Sequence, residues 1–236
     1  MELNNIPAVT RAQMDEVDHL MIEEYGITLL QMMENAGRSL AELSRELLGG
    51  VVKGKRIAVL CGGGNNGGGG MAAARHLANW GADVQVALAI PAEKLKDAPA
   101  HQARTLRAMG VHVSEDFQYR NIDLILDALI GYGLRGAPRG KAAQWIQEAT
   151  RSAVPILSLD IPSGLDADTG SPLGDCIRAN ATLTLALPKV GMSEDKASKY
   201  LGELYTGDIS VPIRLLRKIG IEVGDLFTSS PIVKVY

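Results

Sequence analysis

Residues 56–81 read RIAVLCGGGNNGGGGMAAARHLANWG. RIAVLC is a short apolar run with β-branched members, which reads as a buried strand. MAAARHLANW has helix-forming composition and stops at Gly81. Between them lies CGGGNNGGGG (61–70), with seven glycines around Asn65 and Asn66. Glycine loses more conformational entropy on ordering than any other residue. So dense a run predicts left-handed backbone angles, or a close approach that a Cβ would block.

The strand–loop–helix unit repeats outward. ADVQVALAI (82–90) reads as a strand, AHQARTLRAMG (100–110) as a helix, VHV (111–113) and IDLILDALI (122–130) as strands. KAAQWIQEATRS (141–152) reads as a helix, VPILSLDI (154–161) and ATLTLAL (181–187) as strands, with another near ELYTGDI (203–209). Strands alternating with helices imply parallel pairing with right-handed crossovers. Their near-continuous apolar character fits a sheet covered on both faces. Two helices precede this unit. Thr10 with Gln13, and Thr28 with Gln31, have capping-box spacing. PIRLLRKIG (212–220) predicts a final helix, and SSPIVKVY (229–236) a tail without an assigned role. The expected fold is α/β, a three-layer α/β/α arrangement with a mostly parallel central sheet preceded by two N-terminal helices, in one domain over residues 1–236.

Composition narrows the function. Hydrophobic residues make up 46% and charged residues 22%, with a net charge of −3. No basic run suggests a nucleic-acid partner. No apolar run approaches the roughly 20 residues that span a bilayer. The opening MELNNIPAVTRAQ lacks the basic and apolar segments of a secretory leader. Two cysteines, Cys61 and Cys176, do not make a disulfide framework or a structural zinc site. A cytoplasmic protein is the default expectation.

In open α/β sheets, ligands bind beyond the carboxyl ends of the strands. The unusual residues cluster there. The glycine loop follows the first strand. GYGLRG (131–136) follows the fourth, with Asp127 near that strand's end, and PSG follows the fifth, with Asp160 at its end and Ser163 in the turn. Gly62, Gly64 and Gly67 spell GxGxxG, which suits phosphate at a helix N-terminus. A dehydrogenase of this type also needs an acid at the end of the second strand to hold ribose. Ile90 and Pro91 stand there instead, which argues against hydride transfer. No GxxxxGK[ST] occurs. Amide, carboxylate and hydroxyl oxygens on one rim suit a hard cation. Asp127 and Asp160 each also fit a simple turn-capping role. Lys189 could reach this rim, although a solvated lysine is the commoner fate. His19, His76, His101 and His112 fall away from it.

Taken together, VTRAQMDEVDHL, MMENAGRSLAEL, CGGGNNGG, DALIGYGLRG, SLDIPSGLDADTG, LALPKVG and GELYTGDISVP resemble the NAD(P)H-hydrate epimerases, the YjeF-type N-terminal domain. The resemblance spans nearly the whole chain. It implies a Rossmann-like fold, a homodimer, and interconversion of the R and S forms of NADH or NADPH hydrated at C6 of the nicotinamide ring. A separate dehydratase specific for the S form then restores the cofactor. It implies potassium at Asn66, Asp127 and Ser163. Substrate would meet Asn65, Asn66, Gly67, Gly68, Gly131, Tyr132, Gly133, Leu134, Arg135, Gly136 and Asp160. Asp160 would be the general acid/base for nitrogen-assisted loss and return of the C6 oxygen, with potassium positioning the loops. One residue departs from the pattern: the family loop reads NNGGDG, and Gly69 stands in place of its Asp. The alternative reading is a weakened or inactive member that serves as a nucleotide-binding or scaffold protein.

Overall fold

A computed structural model describes residues 6–117 and 121–236. The expectation of no secretory leader falls partly on residues 1–5, which lie outside the described residues. Two helices lead the chain, α1 (Arg11–Glu23) and α2 (Leu29–Leu47). Both carry the complete capping box that their spacing predicted, with Thr10 answered by Gln13 and Thr28 by Gln31. The reciprocal bonds satisfy N–H groups that a helix start leaves open.

Seven parallel or mixed-edge strands follow, with one more at the C-terminus. They are β1 (Arg56–Cys61), β2 (Asp83–Leu88), β3 (His112–Ser114), β4 (Leu124–Ala128), β5 (Ile156–Leu159), β6 (Ala181–Leu185), β7 (Glu203–Gly207) and β8 (Ile232–Lys234). Their spatial order is β3-β2-β1-β4-β5-β6-β7-β8. All neighbours pair in parallel except β7 and β8. The unassigned tail is therefore an antiparallel edge strand. The order reverses between β1 and β4, the switch point at which a crevice opens in such sheets.

Helices α3 (Asn65–Asn79), α4 (Asp97–Ala108) and α5 (Gly140–Arg151) cross between strands. The one-turn α6 (Ser198–Leu201) and α7 (Ile213–Lys218) come later. Leu40, Met71, Leu77 and Leu106 pack with Val59, Val86 and Leu126 on one side of the sheet. Trp145, Ile146 and Ala149 pack with Leu60 and Ile125 on the other. A third cluster joins Met14, Val17 and Met21 of α1 to Met32, Ile209, Leu215 and Leu216. No helix among the described residues is long and apolar enough to cross a membrane.

The glycine run has a different explanation from a flexible loop. Gly67 to Gly70 lie inside the first turns of α3, and none of the seven has a positive φ. Close approach is the reason they are glycine. A Cβ on Gly62 would stand 1.9 Å from the Leu129 carbonyl oxygen. One on Gly67 would stand 2.1 Å from the Gly62 carbonyl oxygen, and one on Gly70 2.5 Å from the Ala128 Cβ. The absent side chains let α3 sit directly against the ends of β1 and β4.

Candidate functional site

The parallel register sets the first part of the site. Asp127 of β4 lies beside Ser158 of β5. Ser158 Oγ donates to Asp127 Oδ2 at 2.8 Å. The PSG turn after β5 then folds back, so that Ser163 N donates to Oδ2 at 2.9 Å and Ser163 Oγ to Oδ1 at 2.6 Å. Leu129 N adds a longer bond to Oδ1 at 3.3 Å. Asp127 is fully buried and forms no ion pair among the described residues. Burial pushes its pKa up, while these hydrogen bonds pull the other way. Ser163 Oγ also accepts from Ile130 N at 2.9 Å, which ties the β4 and β5 turns together.

Asp160 is the second centre. It sits at the end of β5 with φ at +68°, in the left-handed region that few non-glycine residues adopt. Backbone strain of this kind collects at functional sites. Tyr132 N donates to Asp160 Oδ2 at 2.7 Å, and Lys189 Nζ donates to Oδ1 at 2.5 Å. Lys189 also donates to Thr184 Oγ1 at 3.0 Å and to the Leu185 carbonyl at 2.9 Å. It is wholly buried, not the solvated lysine that sequence reasoning favoured. The reason is tertiary. Val9 pairs with the chain at Lys189, accepting from Val190 N at 3.0 Å and donating to the Pro188 carbonyl at 2.8 Å.

A cavity of about 380 Å³ opens on Asp160, while Asp127, Ser163 and Lys189 are buried outside its lining. Asn65, Asn66, Gly131, Tyr132, Gly133 and Asp160 line it, as do Gly64 and Gly69. Met32, Met33 and Ile209 supply apolar wall, and Asp15 and Asp18 of α1 supply carboxylates. Of the predicted substrate residues, Gly67 and Gly68 are buried in helix packing, with Gly68 against Met33. Leu134 is buried, and Arg135 and Gly136 are exposed beyond the cavity lining. Gly69 leaves that wall without a side chain. A Cβ there would meet Leu159 Cδ2 at 2.9 Å.

Sequence reasoning missed α1 as part of the site. Tyr132 Oη donates to Asp18 Oδ2 at 2.6 Å. Arg11 Nε donates to the Tyr132 carbonyl at 3.1 Å, and its guanidinium pairs with Asp166 at 2.6 Å. Arg11 N donates to Asp168 Oδ1 at 2.7 Å. One arginine thus fastens the GYGLRG turn to the DADTG loop. A charged position on an amphipathic helix carries no mark of this in a single sequence.

The polar geometry suits an anionic, ring-containing ligand. The first N–H groups of α3 have no partner within the helix and carry the positive end of its dipole. The same cavity is lined by the Asp160 carboxylate and an apolar wall. His, Cys, Asp and Glu form no three-residue metal cluster among the described residues.

A family model described as the YjeF-related protein N-terminus matches residues 29–191. A Dehalogenimonas lykanthroporepellens protein named NAD(P)H-hydrate epimerase is 42% identical over 219 residues, covering 92% of this chain and 87% of the relative. A Rhodopirellula baltica protein of the same name is 34% identical over 222 residues, covering 92% and 89%. A Moorella thermoacetica bifunctional NAD(P)H-hydrate repair enzyme is 36% identical over 218 residues. The match covers 88% of this chain and 41% of that enzyme. The crystal structure of a yeast protein superposes with a TM-score of 0.84 at 27% identity, covering 97% of this chain and all of that one.

Proposed function

The chain belongs to the family of YjeF-related N-terminal domains, and from this we propose how its cavity epimerises hydrated NADH and NADPH in nicotinamide cofactor repair. The activity is that of an isomerase. The observation that carries the site assignment is the meeting of Asp160 and Tyr132 with Asn65 and Asn66 around one cavity, with buried Lys189 bonded to Asp160. Asp160 moves the proton. On its own face of the ring it exchanges a proton with the C6 oxygen, either as the ring nitrogen pushes out the C–O bond or as water returns there. Lys189 and Tyr132 N fix the carboxylate at both oxygens. The N-terminus of α3 receives the phosphates, with Gly67 and Gly68 permitting the helix to reach that place. The turn from Gly131 to Gly136 covers the nicotinamide side.

Potassium belongs to the same proposal. One feature fits it. Asp127 is a fully buried carboxylate bonded to neutral donors, a charge that a cation would offset. Asn66 would offer its Oδ1, since its buried Nδ2, unpartnered among the described residues, is a donor that cannot ligate a cation. A Cβ on Gly131 would stand 2.8 Å from Asp160 Oδ2 and 3.2 Å from Asn66 Cγ, so glycine keeps that place open. Asn66, Asp127 and Ser163 would hold the ion, whose bound charge would stabilise the ionised Asp127 and brace the turns.

A homodimer, a cytoplasmic location and a single domain complete the reading. Exposed Ile22, Leu30 and Ile213 supply apolar surface for a second copy. Free thiols at Cys61 and Cys176 suit a reducing compartment. The functional partner is a separate dehydratase. The Moorella thermoacetica bifunctional enzyme, of which this chain matches about two fifths, supports that link. The test is the R epimer of hydrated NADH supplied with a dehydratase specific for the S epimer. Recovery of NADH absorbance beyond the dehydratase-only rate supports the reading, and no gain overturns it. A protein that binds the hydrate without converting it would establish the weakened-member alternative, to which Gly69 points.

A further inference from the structure

We propose that Asp18 is a second catalytic carboxylate, acting across the cavity from Asp160 on the opposite face of the reacting ring. The inference rests on the epimerase reading above and adds to it.

Inversion at C6 has a geometric demand. The ring nitrogen lone pair forms C6=N1 as the C6–O bond breaks, and the departing oxygen takes a proton and leaves as water. A water must then add to the other face, giving its proton to a base while the C=N electron pair returns to nitrogen. One water leaves and one enters, so atoms and charge balance. A single carboxylate serves one face. Inverting glycosidases meet the same demand with two carboxyl groups about 6.5–9.5 Å apart, which leaves room for the water between sugar and base.

The cavity holds such a pair. Asp18 and Asp160 both line it, and Tyr132 is bonded to each. Its backbone N donates to Asp160 Oδ2 at 2.7 Å and its hydroxyl to Asp18 Oδ2 at 2.6 Å. One tyrosine thus binds the two carboxylates at its opposite ends, its backbone N–H and its hydroxyl. They are not equivalent. Asp160 is ion-paired to Lys189, whereas Asp18 has a neutral phenol as its hydrogen-bond partner. Burial pushes the pKa of Asp18 up, and the charges of Asp160 and Asp15 push the same way. The Tyr132 hydroxyl and Lys189 oppose them. A raised carboxyl suits proton donation at working pH. The roles exchange when the reaction runs backward.

The experiment follows solvent oxygen in ¹⁸O-water, starting from each purified epimer, with the wild type, Asp18→Asn and Asp160→Asn. The wild type should interconvert the epimers and load both with ¹⁸O. Each variant should lose inversion by about 10²–10⁴-fold, the usual contribution of a positioned acid or base. Each should still exchange oxygen into one epimer, a different one for each variant, through the carboxylate that remains. An Asp18→Asn rate within about threefold of wild type, or loss of exchange into both epimers, overturns the role of Asp18. A wild type that leaves both epimers unchanged overturns the epimerase reading and this proposal with it. Should Asp18→Asn fail to fold, Tyr132→Phe keeps the question open to test. Loss of the hydroxyl bond should move one limb of the pH–rate profile upward, and an unmoved profile counts against Asp18.

Discussion

Lys189 Nζ lies 2.5 Å from Asp160 Oδ1, and both side chains are sealed from solvent at 0% and 4% exposure. The pair joins the loop after β6 to the end of β5. Removing one member of a buried pair strands the other charge, which costs about 3–5 kcal/mol. Asp160→Asn and Lys189→Met should each destabilise the protein by about that much in urea unfolding. The double variant should recover most of the loss while remaining inactive. Additive losses in the double variant would show that the two side chains are not coupled.

Potassium binding by the folded state alone would raise stability in proportion to occupancy. The melting temperature should climb with KCl and stay flat with choline chloride at equal ionic strength. Asp127→Asn should remove the difference. Equal responses to both salts would dismiss the cation.

The glycines of α3 predict a contrast. Gly64→Ala should be tolerated, since its Cβ meets nothing within 4 Å. Gly67→Ala would press on the Gly62 backbone at 2.1 Å. Overpacking of this kind costs about 1–3 kcal/mol. Two variants of equal stability would contradict the close-packing account.

Gly69→Asp returns a carboxylate to the cavity wall, and the flexible end of Leu159 can move aside for it. Epimerisation should rise at least about tenfold if this chain is a weakened member, by the scale of a positioned polar group. An unchanged rate would free Gly69 of any part in turnover.

Acid should loosen the α2–α3 contact. Burial lowers the pKa of His76, which lies 2.8 Å from Glu34. Burial alone would raise Glu34, but Arg75 and then His76 hold it below its usual value. Both shifts act in the same direction. The His76 contribution is present above the unfolded value of about 6.5 and fades as pH falls below it. The Glu34 contribution fades lower, below the ordinary glutamate range. Melting temperature should therefore fall from pH 7.5 toward pH 4, and His76→Gln should flatten the upper part. A slope unchanged in that variant would exclude His76.

The α/β alternation and both helix starts were legible because apolar periodicity and capping chemistry are local. Asp160 was legible as a rim residue because strand ends define the rim of a parallel sheet, whereas Asp127 and Ser163 are fully buried and do not line the cavity. Lys189 was not legible. Its burial depends on Val9, which is 180 positions away in the chain. Asp18 and Arg11 were hidden for the same reason, since only docking of α1 turns them toward the Tyr132 turn. Of the two reasons the glycines suggested, close approach holds and left-handed angles do not, because composition does not separate a turn from a helix start packed against backbone.

The most direct test is chromatography of the two epimers. Purified R hydrate is incubated with a catalytic amount of protein in potassium buffer, with no dehydratase present. The account predicts rapid approach to a mixture of R and S with the wild type and none beyond background with Asp160→Asn. An R epimer that stays unchanged with the wild type, or an Asp160→Asn variant that matches it, would contradict the account.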